Sequence, residues 1–230
     1  MMKKFMKVIL ISVLLTAVFS PVLPFILLFL TENFPGRLIF SLLFAIIGLE
    51  RTYSMFSRLT MKRYLQVEQD WTAMWVGVAY LIILYFSLIE FYVNKTGPVH
   101  GSLCALGFLI FSVAVAIRYW ALAKLTTQWH VHVDSNLHDN RQLITDGPYK
   151  YIRHPLYIGA VMEVVGIPLI FNSYWTVLAA FFLFIPFEIY RAYFEERYLY
   201  ELFGESYKEY AANTGAFFPR FIKKPKSCIK

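Results

Sequence analysis

Six apolar runs divide this chain of 230 residues, and they restrict it to one kind of fold. Four are of spanning length, at about 8–30, 37–56, 71–93 and 101–123; a helix needs roughly 20 apolar residues to cross a bilayer. Two shorter runs, at about 156–171 and 174–191, are separated by "NSY" and read as a tight helical hairpin. Backbone polar groups in lipid must be bonded internally, and the runs are continuous rather than alternating, which excludes a transmembrane barrel. Hydrophobic residues make up 58% of the chain and charged residues 16%, whereas about a quarter of a soluble domain is charged. The expectation is an all-α integral membrane protein with about six membrane helices.

The first run follows a basic start, "MMKKFMK", as a secretory signal would. It continues past Pro21 and Pro24 to Leu30 without a clear small-x-small cleavage site, so an uncleaved first span is expected. Cations gather in alternate loops. Lys3, Lys4 and Lys7 precede the first run, Arg51, Arg58, Lys62 and Arg63 follow the second, and Lys124, Arg141, Lys150 and Arg153 follow the fourth. The tail carries Lys208, Arg220, Lys223, Lys224, Lys226 and Lys230. The positive-inside rule then places both termini in the cytoplasm, with the polar stretches 124–155 and 192–230 on that side. The net charge of +7 is explained by anionic lipid rather than by nucleic acid. Cys104 and Cys228 give neither a disulfide framework nor a CxxC motif. The chain reads as one integrated membrane domain, with N-terminal helices over 1–123 and a chemistry-bearing region over 124–230.

The chemistry concentrates in "DGPYKYIRHPLYIG", residues 146–159. Asp146-Gly147-Pro148 is turn sequence. Pro155 disfavours helical geometry at His154 and suits the first helical position. His154 then stands near a helix N-cap beside Arg153, where free N–H groups, an imidazole and a guanidinium favour an anion. An interfacial anchor is the bland reading of the same residues. In "FEIYRAYFEERYLYELFGESYKEY" (187–210), Glu188, Arg191 and Glu195 share one helix face, and Glu196 lies about 100° from Glu195. A carboxylate there would hold an ammonium, act as a base or cap the span in an ion pair. Tyr198, Leu199, Leu202, Phe203, Tyr207 and Tyr210 suggest an amphipathic helix on the membrane surface.

Glu163 lies inside the fifth run, on a face with Gly159 and Gly166, and would serve function or bond a neighbouring helix. His130 and His132, with His138 nearby, lack the accompanying carboxylates of a metal site, so no metal is expected. GxSxG, Walker A and a post-strand GxGxxG motif are missing, so no soluble nucleotide-binding domain is implied.

"GPYKYIRHPLYIG", then "RAYFEERYL", then "FGESYKEY" together resemble the isoprenylcysteine carboxyl methyltransferase family and its phospholipid methyltransferase relatives. The resemblance covers about 120–220. It implies an integral membrane enzyme that uses S-adenosylmethionine in a cytoplasmic-side pocket and takes a lipophilic acceptor from the bilayer. That acceptor would be a prenylcysteine-like carboxylate or a lipid amine. By resemblance the cofactor contacts are Tyr149, Arg153, His154, Tyr157, Gly159, Glu195 and Glu196, and the catalytic residues are Arg191 and Glu195. The resemblance implies the inner membrane of a prokaryotic cell or the endoplasmic reticulum of a eukaryotic one. Two enzymatic alternatives stay open: a small-thiol S-methyltransferase, and an NADPH-dependent sterol or enone reductase, which resembles the family in its cofactor half. A non-enzymatic scaffold or transporter would leave the His154 turn and the Arg191–Glu195 face without ligands.

Overall fold

The computed structural model describes residues 26, 34–56, 71–93, 100–127 and 143–220. The first expected span and the His130, His132 and His138 group lie outside the described residues, apart from Ile26. The described elements are helical: α1 (Phe34–Phe56), α2 (Trp71–Val93), α3 (Gly101–Thr127), a 3-10 turn (Gly147–Lys150), α4 (Pro155–Ile170), α5 (Tyr174–Ala179), a π-turn (Ala180–Phe184), α6 (Ile185–Phe203) and α7 (Glu205–Asn213). Among the described residues the only extended pairing is an isolated parallel bridge between Ile152 and Gly215. The all-helical expectation therefore holds.

Two continuous helical stretches, Gly101–Leu125 and Tyr174–Phe203, are long and apolar enough to cross a membrane. Large apolar side chains stand exposed along them, including Leu109, Trp120, Phe182, Leu183 and Ile189. An exposed apolar surface of this extent requires a non-aqueous neighbour, and the chain is a membrane protein.

Helix boundaries follow local chemistry. Pro35 stands in the first turn of α1 and Pro155 opens α4, where a missing N–H costs nothing. The end of α4 is a Schellman cap: Ser173 N–H bonds Pro168 O at 2.8 Å and Asn172 N–H bonds Leu169 O at 3.1 Å. Asn172 takes the left-handed conformation at φ 53°, for which asparagine is second only to glycine. This is the turn expected between the two short runs. The π-turn precedes Pro186, whose ring cannot continue the regular ladder toward Phe182.

The chain divides into two compact units. One comprises residues 1–108 and 164–184. Its core contains Phe44, Phe91 and Phe171, with Phe171 edge-on to Phe44 at 5.7 Å and to Phe91 at 5.8 Å. The buried Glu90 of α2 caps α5 from a distance. Its carboxylate accepts the Trp175 N–H at 3.0 Å, the Thr176 N–H at 2.9 Å and the Thr176 hydroxyl at 2.7 Å. Ser173, the residue at the N-cap, instead donates its hydroxyl to Ser87 O at 2.7 Å.

The other unit comprises residues 109–163 and 185–230. It contains most of α3, the start of α4, α6, α7 and the segment that follows α7. All the residues singled out above as site candidates belong to it.

Candidate functional site

The site is built around the first turn of α4. His154 O accepts the Ile158 N–H at 3.2 Å, so His154 is the N-cap of α4, as Pro155 demands. Its side chain is buried, at 3% exposure, and does not project into solvent. The Nε2 atom lies 3.0 Å from Glu196 Oε1, and Nδ1 lies 3.8 Å from Glu195 Oε2. A carboxylate only accepts, so Nε2 carries the proton directed at Glu196. The imidazole is thus held between two consecutive carboxylates of α6. Tyr157 meets its ring edge-on at 5.2 Å, and Phe217 lies 5.6 Å away.

Arg153 turns into the protein. Its Nε donates to Glu196 Oε1 at 2.8 Å, and Nη2 is 2.7 Å from the same oxygen. Its Nη1 donates to Ala211 O at 3.0 Å and to Thr214 O. Backbone bonds run beside it: Arg153 N–H to Gly215 O at 2.8 Å and His154 N–H to Ala216 O at 3.1 Å. Residues 214–216 are therefore strapped across the entry to α4. Gly215 is required there, because a Cβ would collide with the Phe218 carbonyl.

Arg191 and Tyr157 form the second part of the site. The guanidinium lies over the Tyr157 ring, 5.1 Å from its centroid, in cation–π geometry. Arg191 and Glu195 are one turn apart on α6. Glu188, one turn earlier on α6, is buried at 1% exposure.

Helix α7 closes the cluster. The Tyr210 hydroxyl donates to Tyr149 O at 2.7 Å, tying α7 to the 3-10 turn. Burial pushes the Tyr210 phenol up to about 12. The Tyr207 phenol is raised further, first by burial and then by the carboxylate of Glu196, with Glu195 adding to it and Arg153 opposing. The surface-helix expectation thus fits only one side of α7, for Tyr207 is buried at 3% exposure.

The structure brings Arg153, His154, Glu195 and Glu196 into one cluster, and joins Tyr157 and Arg191 to it through the His154 ring. Tyr149 contributes its carbonyl to Tyr210. Gly159 faces elsewhere: a Cβ there would sit 3.3 Å from Ala114 O and 3.6 Å from Arg118 Cβ, so its missing side chain lets α3 and α4 approach.

Glu163 has a partner that reading the sequence missed. Arg118 Nη1 of α3 lies 2.8 Å from Glu163 Oε1, with both side chains buried. The signal was present, since a lone cation within an apolar run calls for a buried anion on a neighbouring helix.

Residues 103–206 match the phospholipid methyltransferase family, in agreement with the resemblance carried by the motif. Three curated relatives are similar to part of the chain. The protein-S-isoprenylcysteine O-methyltransferase of Schizosaccharomyces pombe is 30% identical over 50% of this chain and 48% of its own length. The cobalt-zinc-cadmium resistance protein CzcN of Cupriavidus metallidurans is 36% identical over 51% of this chain and 50% of its own. The methanethiol S-methyltransferase of Pseudomonas deceptionensis is 30% identical over 34% of this chain and 29% of its own. The aligned stretch thus spans half or less of each of these relatives. No solved structure gives a significant match.

Proposed function

We propose that this chain is a membrane methyltransferase that uses S-adenosylmethionine and takes a lipophilic acceptor from the bilayer. The observation that carries the reading is the pairing of Glu195 and Glu196 with the His154 cap of α4, beside the Arg191–Tyr157 stack. The match of residues 103–206, which include His154, Arg191, Glu195 and Glu196, to the phospholipid methyltransferase family supports it, as does the similarity to two methyltransferases. In this reading 124–230 forms the cofactor-binding region on the cytoplasmic side and 1–123 the membrane helices, with both termini cytoplasmic. The acceptor is a prenylcysteine-like carboxylate or a lipid amine, with a small thiol as the further candidate.

The donor set fits the cofactor. S-adenosylmethionine has an ammonium, a carboxylate, an adenine ring and a sulfonium, and when bound it supplies an electrophilic methyl group. Glu195 and Glu196 provide negative charge for the ammonium. Arg153 and His154 act through Glu196: both engage its Oε1, which fixes the carboxylate in place. Arg153 spends its other bonds on Ala211 and Thr214, and so holds the strap. Tyr157, edge-on to His154 and under Arg191, offers a ring face beside the cluster. Positioning accounts for much of the rate in an in-line displacement, and a cluster locked by several bonds suits that task.

In this reading Arg191 orients an acceptor carboxylate, which needs no base. An amine or thiol acceptor must give up a proton, and Glu195 is the candidate to take it. Glu163 is held by Arg118 and is fully buried, so it is not that base. The reductase reading requires cations for a 2′-phosphate, and the engagement of Arg153 with Glu196 and two carbonyls weighs against it.

The test is calorimetric titration of detergent-purified protein with S-adenosylhomocysteine and, separately, NADPH. Saturable binding of S-adenosylhomocysteine is expected, weakened about tenfold or more in Glu195→Gln through loss of a charge-assisted contact. Binding of NADPH in its place would overturn the reading.

A further inference from the structure

Helix α7 places one polar group in the cluster that the proposed mechanism leaves unused. Tyr207 is buried at 3% exposure, and its hydroxyl has no hydrogen-bond partner among the described residues. Tyr210, one turn further along α7, shows the contrast: its hydroxyl donates to Tyr149 O at 2.7 Å. The two rings lie 6.0 Å apart. Buried hydroxyls are normally bonded, and an orphan needs an explanation.

The surroundings of this hydroxyl define what it can take. Glu196, Arg153 and Glu195 are the charged groups that act on it most strongly. Burial and two carboxylates oppose a phenolate, so the group stays neutral and has a proton to offer. The ligand must therefore bring an acceptor atom. The same ligand must also suit Glu195 and Glu196, which call for a cation. A cation and an acceptor side by side describe the zwitterionic end of an α-amino acid.

We infer that the Tyr207 hydroxyl is the donor that reads the α-carboxylate of the bound cofactor, while Glu195 and Glu196 take its ammonium. This rests on the proposed S-adenosylmethionine site and assigns within it a residue of α7. Arg153 adds favourable charge for the same carboxylate without releasing its own partners. Helix α7 thereby becomes part of the site and not only a surface helix.

Tyr207→Phe removes the oxygen and keeps the ring. The full chain in detergent would be titrated with S-adenosylhomocysteine and with 5′-methylthioadenosine, which lacks the amino-acid end. Thermal unfolding without ligand would be followed in parallel. The expected result is a roughly tenfold to hundredfold loss of S-adenosylhomocysteine affinity, the usual worth of a bond to a charged group. Binding of 5′-methylthioadenosine should be unchanged, and the ligand-free melting temperature equal to or above that of the unsubstituted chain. Unchanged S-adenosylhomocysteine affinity would overturn the assignment and leave the cofactor site standing. Equal losses for both ligands would also overturn it, by moving the hydroxyl's contact to the nucleoside. A clearly lowered ligand-free melting temperature or failure to fold would assign the hydroxyl a structural role. If the unsubstituted chain bound neither ligand, the cofactor reading itself would fall, and this inference with it.

Discussion

Arg118 of α3 and Glu163 of α4 form an ion pair, with Nη1 2.8 Å from Oε1 and both side chains buried. One turn nearer the start of α4, Gly159 lets the two helices approach at Ala114 and Arg118. Charge pairing and close packing therefore fix the same helix contact.

Removing either charge should take away the buried ionic partner of the other. Arg118→Leu or Glu163→Gln is expected to cost about 3–5 kcal/mol. The double variant Arg118→Leu/Glu163→Leu should recover most of that loss, because an apolar pair of similar volume is commonly as stable as a buried ion pair. Thermal unfolding in detergent, arranged as a double-mutant cycle, measures the coupling. Additive losses would show that the pair does not act as a unit.

Arg153→Lys tests geometry independently of charge. An ammonium cannot reproduce the planar set of bonds to Glu196, Ala211 and Thr214. Amide hydrogen exchange should rise at 214–216, and S-adenosylhomocysteine should bind more weakly. A variant with unchanged protection would mean that the backbone bonds from Arg153 and His154 N–H to Gly215 O and Ala216 O hold the strap unaided.

The Tyr210 phenol, raised by burial from the ordinary 10.0 to about 12, predicts a loss of stability on the alkaline side. The folded chain retains this proton where the unfolded chain has released it. The contribution is complete below pH 10 and is lost as pH rises toward about 12. Ionisation also removes the donor to Tyr149 O. Unfolding followed against pH should show a steeper alkaline decline than in Tyr210→Phe. Parallel curves would assign the decline to other groups.

Several features were legible because they depend on local rules. Continuous apolar runs define the helices, Pro155 fixes the start of α4, and "NSY" marks its end. The seven-residue spacing from Glu188 to Glu195 is a property of one helix, and α6 preserves it. What stayed hidden depends on the partner an element meets in space. Glu163 could be recognised as a costly buried acid, but periodicity within its own run could not point to Arg118. Arg153 read as an anion ligand because exposed arginine beside a helix start usually is one. Its inward turn depends on carbonyls at 211 and 214, about sixty residues later. Tyr207 was read as part of a surface helix, since an amphipathic pattern identifies faces without showing which face meets a site.

The strap also sets an order of assembly. Ala211, Thr214, Gly215 and Ala216, which hold Arg153 and His154, are synthesised after all the apolar helices described above. Those helices can enter the bilayer while the ribosome is still adding the residues that complete the cluster. Arg153 and His154 would gain their carbonyl partners only once insertion is over, so a chain inserted but halted before residue 211 would possess the membrane body without the strap that completes the cluster.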